Sequence, residues 1–230
     1  MEGLFKLNRR HFNALALLAS SMGFSGTALA QSTVQAAGAK TPTVPLVLVV
    51  GDSLSAEYGL RRGTGWVALL EQQLSQEKVR AQIVNASISG DTTSGGRSRL
   101  PALLKQHKPA VVVLELGGND ALRGLPLNMT RDNLAHMARI ARESGARVLL
   151  LGMEMPPNYG ATYGREFREI FTSVAQTEKA ALVPFFLKGV GDLKDPTQLF
   201  QSDRIHPNEA AQPIMRDNVW PELRKLLPKR

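Results

Sequence analysis

Short apolar runs recur along the chain and alternate with segments whose apolar residues keep a helical period. Five runs predict strands, at residues 46–50, 81–86, 110–116, 147–152 and 181–184. The first and third runs are almost wholly aliphatic, which is typical of strands buried on both faces of a parallel sheet. Parallel neighbours need long, right-handed crossover connections, and the helical segments supply them. The alternation therefore predicts one three-layer α/β domain.

The residues between the strands predict the helices. A Gly/Ser/Thr-rich loop at residues 87–96 precedes a helix in which Pro101 should cause a kink or a restart. The last helix is expected to begin at Pro207, because proline suits the first helical position. Pro184 lacks the N–H that a central ladder needs, so the fifth strand should lie at a sheet edge.

The first 30 residues predict an export signal. Lys6, Arg9 and Arg10 precede a short apolar stretch, and residues 28–30, Ala-Leu-Ala, offer a small-x-small cleavage site. The stretch is too short and too polar for a transmembrane span. The arginine pair also resembles a twin-arginine signal, so that route and the general secretory route both stay open. We expect an exported, periplasmic protein.

Composition restricts the remaining chain. Residues 31–43 are small and polar and predict a flexible lead-in, which leaves residues 44–230 as a single domain. The net charge is +8. Residues 1–30 contain three basic residues and one acidic residue and so contribute +2, which leaves +6 for residues 31–230. The basic residues form no run, so no nucleic-acid partner is expected. Cysteine is absent and the four histidines are scattered, so we expect no disulfide, metal site or cofactor.

A serine follows the first strand directly. Gly51-Asp52-Ser53 stands at the carboxyl end of that strand, the edge where open α/β sheets bind their ligands. The same three residue types are common in plain turns, so the motif alone does not assign a function. A serine hydroxyl also needs a base, normally a histidine that a carboxylate orients.

Asp203 and His206 are the candidates for that pair, three residues apart in one turn. Their spacing lets the carboxylate accept a hydrogen bond from the Nδ1–H while Nε2 faces Ser53. The backbone N–H groups of Ser53 and Gly90 and the side-chain amide of Asn119 could stabilise an oxyanion. Taken singly, Gly90 could be a turn glycine, Asn119 a turn cap, and the Asp203–His206 pair a capping cluster. Together they form a nucleophile, a base, an orienter and an oxyanion hole.

Four motifs carry a resemblance to the SGNH (GDSL-type) hydrolases. They are Gly51-Asp52-Ser53-Leu54-Ser55, Ser89-Gly90-Asp91-Thr92-Thr93, Gly117-Gly118-Asn119-Asp120 and Asp203-Arg204-Ile205-His206-Pro207-Asn208. Residues 116–126 and 152–160 resemble more narrowly the bacterial arylesterase branch, which includes multifunctional acyl-CoA thioesterases and lysophospholipases.

The resemblance implies a flavodoxin-like sheet of order 2-1-3-4-5. It also implies Ser53, Asp203 and His206 as the catalytic triad, and Ser53, Gly90 and Asn119 as the oxyanion hole. The chain departs from the family pattern at Glu57, where glycine is common, and at Arg204, where a small residue is usual. Both departures bear on substrate preference rather than on catalysis.

The predicted function is hydrolysis of small carboxylic esters or thioesters through an acyl-enzyme, of the arylesterase, lysophospholipase or acyl thioesterase type. Contact with lipid substrates would be transient. Asn158 and Tyr159, in a strand-end loop with a polar tip and an aromatic ring, are candidate substrate-binding residues. Glu115 interrupts an apolar strand and should be paired in the interior. A glycan O-acetyl deacetylase or a non-catalytic binding module on the same scaffold are the alternatives.

Overall fold

A five-stranded parallel sheet forms the centre of the domain. A computed structural model describes residues 44–227, except the side chains of Pro157 and Pro196. The predicted signal (1–30), lead-in (31–43) and last three residues lie outside the described residues. The strands are β1 (Leu46–Gly51), β2 (Gln82–Asn85), β3 (Val111–Glu115), β4 (Arg147–Leu151) and β5 (Ala181–Val183). Their order, β2-β1-β3-β4-β5, confirms the predicted fold and the edge position of β5.

Strand β1 lies between β2 and β3, and Val47 to Val50 are completely buried. The chain leaves β1 toward β2 on one side and later returns to β3 on the other side. This is the topological switch point of a doubly wound sheet, where a crevice opens at the carboxyl ends of the strands. Gly51 pairs in register with Glu115, so β1 and β3 end at the same edge.

Helices cover both faces of the sheet. They are α1 (Trp66–Gln76), α2 (Thr93–His107), α3 (Gly118–Leu122), α4 (Leu127–Glu143), α5 (Ala161–Thr177) and α6 (Gln212–Leu226). Helix α1 packs against α6, while α4 packs between α2 and α5. Each of the four longer helices α2, α4, α5 and α6 buries an apolar stripe, such as Leu134, Met137, Ala138 and Ala141 on α4. None of the helices among residues 44–227 is both long enough and apolar enough to cross a bilayer.

Two predicted boundaries were wrong, and of the two effects predicted for Pro101 the restart is absent. Helix α2 begins at Thr93, inside the predicted loop, because the Thr92 side chain accepts a hydrogen bond from the Gly95 N–H and caps the helix. Helix α2 also continues through Pro101 without a restart. The last helix begins at Gln212 rather than at Pro207, which instead forms an isolated bridge with Phe200.

The start of α6 has a local cause. Asn208 accepts a hydrogen bond from the Ala210 N–H and caps a separate 3-10 turn, Glu209–Ala211. Proline does stand in the first turn of α6, but it is the later one, Pro213.

Candidate active site

Ser53, His206 and Asp203 form a hydrogen-bonded chain at the carboxyl edge of the sheet. Ser53 Oγ lies 2.9 Å from His206 Nε2, and His206 Nδ1 lies 2.6 Å from Asp203 Oδ2. With its proton on Nδ1, the ring donates to Asp203 and leaves the Nε2 lone pair for the Ser53 hydroxyl. The structure therefore brings the predicted nucleophile, base and orienter into the geometry of a Ser-His-Asp triad, across 153 positions of sequence.

The loop that carries His206 also holds Asp203 as an ionised acceptor. Asp203 Oδ1 accepts hydrogen bonds from the backbone N–H groups of Ile205, at 2.9 Å, and His206, at 3.0 Å. These bonds, that of His206 first, lower the pKa of Asp203 to about 2. Arg204, between them, adopts a left-handed backbone with φ of 59°. Side chains that carry a Cβ raise the energy of this conformation. This cost is consistent with the small residues that are usual at the corresponding position of the family that the chain resembles.

The backbone N–H groups of Ser53 and Gly90 lie on the connections that follow β1 and β2. Within residues 44–227, neither of them donates to a protein acceptor. Gly90 has φ of +79°, which glycine adopts without strain. Both groups are therefore free to donate to a bound oxygen, and their role in an oxyanion hole stays a prediction.

Asn119, the third predicted donor, lies in the short helix α3 rather than in an open loop. Its Nδ2 donates to Asp52 Oδ2 at 3.0 Å and to the backbone carbonyl of Asp91 at 2.9 Å. Both amide hydrogens are thus already engaged. These bonds hold the amide against the Ser53 and Gly90 loops, and an oxyanion there would share or replace one of them.

Two buried carboxyl groups lie behind Ser53. Glu115 Oε2 accepts from Ser55 Oγ at 2.7 Å and from the Asp52 N–H at 3.3 Å. Burial, and then the neighbouring Asp52 charge, raise the pKa of Glu115 well above its usual value. Burial also raises the pKa of Asp52 to about 6, against the opposing bonds from Leu54 N–H and Asn119. Glu115 is paired in the interior, as its position in an apolar strand predicts.

Arg99 was not predicted from the sequence, although it ties three elements to the site. Its Nε donates to Asp91 Oδ2 at 2.8 Å, and its Nη2 to the Gly51 carbonyl at 3.3 Å. Nη1 donates to the carbonyl of Ala86. Arginine can make these contacts together because its donors form a rigid fork. The guanidinium fastens the Gly90 loop to the ends of β1 and β2, and no sequence pattern pointed to it.

Tyr58 and Glu57 follow the nucleophile in the turn after β1. The Tyr58 ring lies 4.4 Å from the His206 ring, centroid to centroid, at an angle of 39°. Glu57 has φ of 58°, which explains why glycine is common at this position in the family it resembles. The Glu57 carboxylate accepts hydrogen bonds from the backbone N–H groups of Gly63 and Gly65. Gly65 is the residue directly before α1. Glu57 therefore organises the loop before α1.

The candidate substrate residues Asn158 and Tyr159 lie on an exposed 3-10 turn, Pro157–Tyr159, after β4. This turn leads into α5, where Tyr163 donates from its hydroxyl to the Ala121 carbonyl at 3.2 Å. That bond ties the segment to α3, which carries Asn119. The two residues thus lie at the predicted edge of the sheet, and a role in binding stays a prediction.

Two surface grooves of about 350 and 320 Å³ lie between α4 and α5 and between α1 and β2, and no triad residue lines either of them. No group of three or more His, Asp or Glu side chains within residues 44–227 is arranged to hold a metal ion.

Known proteins resemble this chain in sequence and in fold. A sequence model of the GDSL-like lipase/acylhydrolase family matches residues 49–213. Esterase TesA of Pseudomonas aeruginosa is 55% identical over 79% of this chain and 89% of its own length. A crystal structure of TesA, 55% identical in sequence, superposes with a TM-score of 0.76 over 79% of this chain and 99% of that one.

Two further relatives carry more specific names. An arylesterase of Vibrio mimicus is 41% identical over 79% of this chain and 89% of its own length. Thioesterase 1/protease 1/lysophospholipase L1 of Escherichia coli is 41% identical over 85% of this chain and 88% of its own length. The named activities of these relatives are thus ester and thioester hydrolysis, together with proteolysis in one case.

Proposed function

Because the chain belongs to the GDSL-like lipase/acylhydrolase family, we propose that Ser53 is the nucleophile of a serine esterase/thioesterase. The 2.9 Å contact between Ser53 Oγ and His206 Nε2 is the observation that carries this assignment. His206 removes the hydroxyl proton as Oγ attacks the acyl carbonyl carbon. The C–O or C–S bond then breaks, and the same proton passes from Nε2 to the leaving alkoxide or thiolate.

Deacylation repeats these steps with water. His206 accepts a proton from the water that attacks the Ser53 ester, and returns it to Oγ as the free acid leaves. Asp203 remains ionised throughout, because its two backbone donors keep its pKa near 2. Its charge stabilises the imidazolium and keeps Nδ1 protonated.

The tetrahedral intermediate places its oxygen among the Ser53 N–H, the Gly90 N–H and the Asn119 amide. One such donor stabilises a transition state by about 3 kcal/mol. Ser53 then acts twice, since its side chain attacks and its backbone donates. Small acyl esters or thioesters, including aryl esters and lysophospholipids, are the proposed substrates, in line with the names of the relatives.

Rates on a series of acyl chain lengths, as oxygen esters and thioesters, test this function. Ser53→Ala should lower kcat/KM by about 10⁴-fold or more, since a triad acts as a unit. Ser75→Ala, at an exposed serine on α1, is the matched control. Circular dichroism checks the fold of both variants. Residual hydrolysis by Ser53→Ala near the wild-type rate would refute the nucleophile.

The same series separates the alternative functions. Activity confined to acetyl esters, together with release of acetate from acetylated sugars, would indicate a glycan deacetylase. Folded protein that reacts with neither the esters nor an organophosphonate serine probe would indicate a binding module.

We also propose that the enzyme acts in the periplasm. Residues 1–30 support this location, with basic residues, a short apolar stretch and a small-x-small site in order. The absence of cysteine is compatible with an oxidising compartment, because no thiol is at risk there.

A further inference from the structure

Large apolar side chains are exposed around the triad. Seven such residues are exposed within residues 44–227, and five of them lie on connections at the carboxyl edge of the sheet, with 38% to 54% of their surface accessible. These five, which we call the rim, are Tyr58, Ile88, Leu122, Tyr159 and Ile205. The other two are Val44, which precedes β1 at the opposite edge, and Leu193, in the long segment after β5. An apolar cluster of this kind marks an interaction surface more often than scattered exposed residues do.

Contacts join the segments that carry the rim into one surface. The Tyr58 ring packs on His206, the neighbour of Ile205. Arg123, which follows Leu122, donates from Nη2 to the Gly90 carbonyl at 2.9 Å, and so ties α3 to the loop that carries Ile88. The Tyr163 hydroxyl bond to Ala121 joins the Tyr159 segment to α3. The rim therefore lies on two groups of joined segments, one with Tyr58 and Ile205 beside His206 and the other with Ile88, Leu122 and Tyr159 around α3.

Cationic side chains accompany the rim. Arg62, Arg123 and Arg204 are exposed on the connections at this edge, and none forms an ion pair within residues 44–227. Of the nearby acids, Asp91 pairs with Arg99, whereas Glu57 accepts only backbone hydrogen bonds and keeps its charge. Asp203 accepts hydrogen bonds from His206 and from two backbone N–H groups. The edge thus presents apolar side chains together with three arginines that lie outside ion pairs among residues 44–227.

We propose that the rim and these three arginines form a docking surface for an anionic phospholipid membrane. Apolar side chains that enter the interface and arginines that meet the phosphates are the two signals that together give stable peripheral binding. Docked in this way, Ser53 faces the lipid layer and receives acyl esters from it. The inference deepens the proposed function and rests on it for the substrate.

Vesicle cosedimentation tests this surface. The full chain is expressed and purified with the Ser53→Ala substitution, which removes hydrolysis. Vesicles of phosphatidylcholine alone are compared with vesicles containing phosphatidylglycerol. Ile88→Ser/Ile205→Ser and, separately, Arg62→Glu/Arg204→Glu should each lower binding to the anionic vesicles by about tenfold or more. The matched controls lie at the amino edge of the sheet, Val44→Ser for the apolar pair and Arg80→Glu/Lys108→Glu for the charged pair. Binding by these control variants should change by less than about threefold, because residues away from the membrane contribute little to binding.

Three results would overturn the proposal. The first is equal binding of the protein to vesicles with and without phosphatidylglycerol. The second is a loss of binding in the amino-edge controls as large as in the rim and arginine variants, which would indicate general charge attraction. In the active enzyme, a raised KM for a soluble short-chain ester with unchanged vesicle binding would make the rim an acyl pocket instead. Circular dichroism checks the fold of every variant. Because binding is measured without hydrolysis, its failure would leave the esterase assignment unaffected.

Discussion

Two hydrogen bonds hold the Asn119 amide near Ser53. Asp52 Oδ2 and the Asp91 carbonyl fix its orientation before substrate arrives. Charge that develops on the carbonyl oxygen then has only to share or replace one of these bonds with an amide that is already oriented. If Asn119 stabilises the oxyanion as proposed, the Asp52 carboxyl is a positioning residue for it.

Removal of this donor should affect the transition state more than substrate binding. For Asn119→Ala we expect kcat to fall by about 10²- to 10³-fold with little change in KM. Asn128→Ala, at an exposed position on α4, is the matched control. Steady-state kinetics on one soluble ester measure both constants. A kcat for Asn119→Ala within a few-fold of the wild-type value would remove Asn119 from the oxyanion hole.

The Asp52 and Glu115 carboxyl groups should make stability depend on pH. Burial raises both pKa values, that of Asp52 to about 6. A carboxyl with a raised folded-state pKa binds more protons in the folded than in the unfolded protein. The free energy of unfolding therefore falls as pH rises from the unfolded-state pKa, near 4, through the folded-state pKa.

Glu115→Gln isolates this effect, because its amide oxygen can still accept from Ser55 and from the Asp52 N–H. We expect wild type to lose stability relative to Glu115→Gln as pH rises from 5 to 8. Urea unfolding at several pH values measures the difference. Glu71→Gln, at an exposed glutamate on α1, should show no such trend. A constant difference between wild type and Glu115→Gln would show that Glu115 has an ordinary pKa.

At the scale of elements, the Gly90 loop depends on its attachment to α2. Arg99 projects from α2 to Asp91 and to the ends of β1 and β2, and so fastens the loop to three elements with one side chain. Asp120 also accepts from the Thr93 N–H at 2.9 Å and holds α3 against the start of α2. The positions of the proposed oxyanion donors Gly90 and Asn119 therefore depend on how α2 and α3 meet.

Arg99→Lys tests this attachment, because a lysine ammonium cannot reproduce the planar fork. We expect kcat to fall by about tenfold or more, since small misplacements near the reacting atoms are costly, while KM changes little. Arg142→Lys on α4, whose guanidinium pairs with Glu178 instead, is the control. If Arg99→Lys changed only the thermal stability, and not kcat, Arg99 would have a purely structural role.

At the scale of the whole molecule, export should remove the predicted signal. We expect protein recovered from the periplasmic fraction to begin at Gln31, with N-terminal sequencing as the measurement. Arg9→Lys/Arg10→Lys should abolish export only if the twin-arginine route is used, whereas Lys6→Arg is the control. Recovery of intact protein in the cytoplasm alone would contradict the periplasmic proposal.

The whole sheet explains how distant motifs converge. Ser53, Gly90 and Asn119 follow β1, β2 and β3, and parallel strands end at one edge. Asp203 and His206 reach that edge from the segment before α6, which contains no strand of the sheet. The order of the strands, rather than proximity in sequence, decides which side chains meet.

Local patterns in the sequence predicted the five strands and the parallel sheet that the structure contains, and they nominated the residues of the candidate site. Buried aliphatic runs and strand-end polar residues are strong signals because they reflect burial and backbone geometry near each residue. The tertiary structure decided what depends on distant partners. The three-element contact of Arg99, the double engagement of Asn119 and the packing of Tyr58 on His206 belong to this group. The raised pKa values of Asp52 and Glu115 have the same origin, because a side chain's solvation is set by neighbours that only the folded chain assembles.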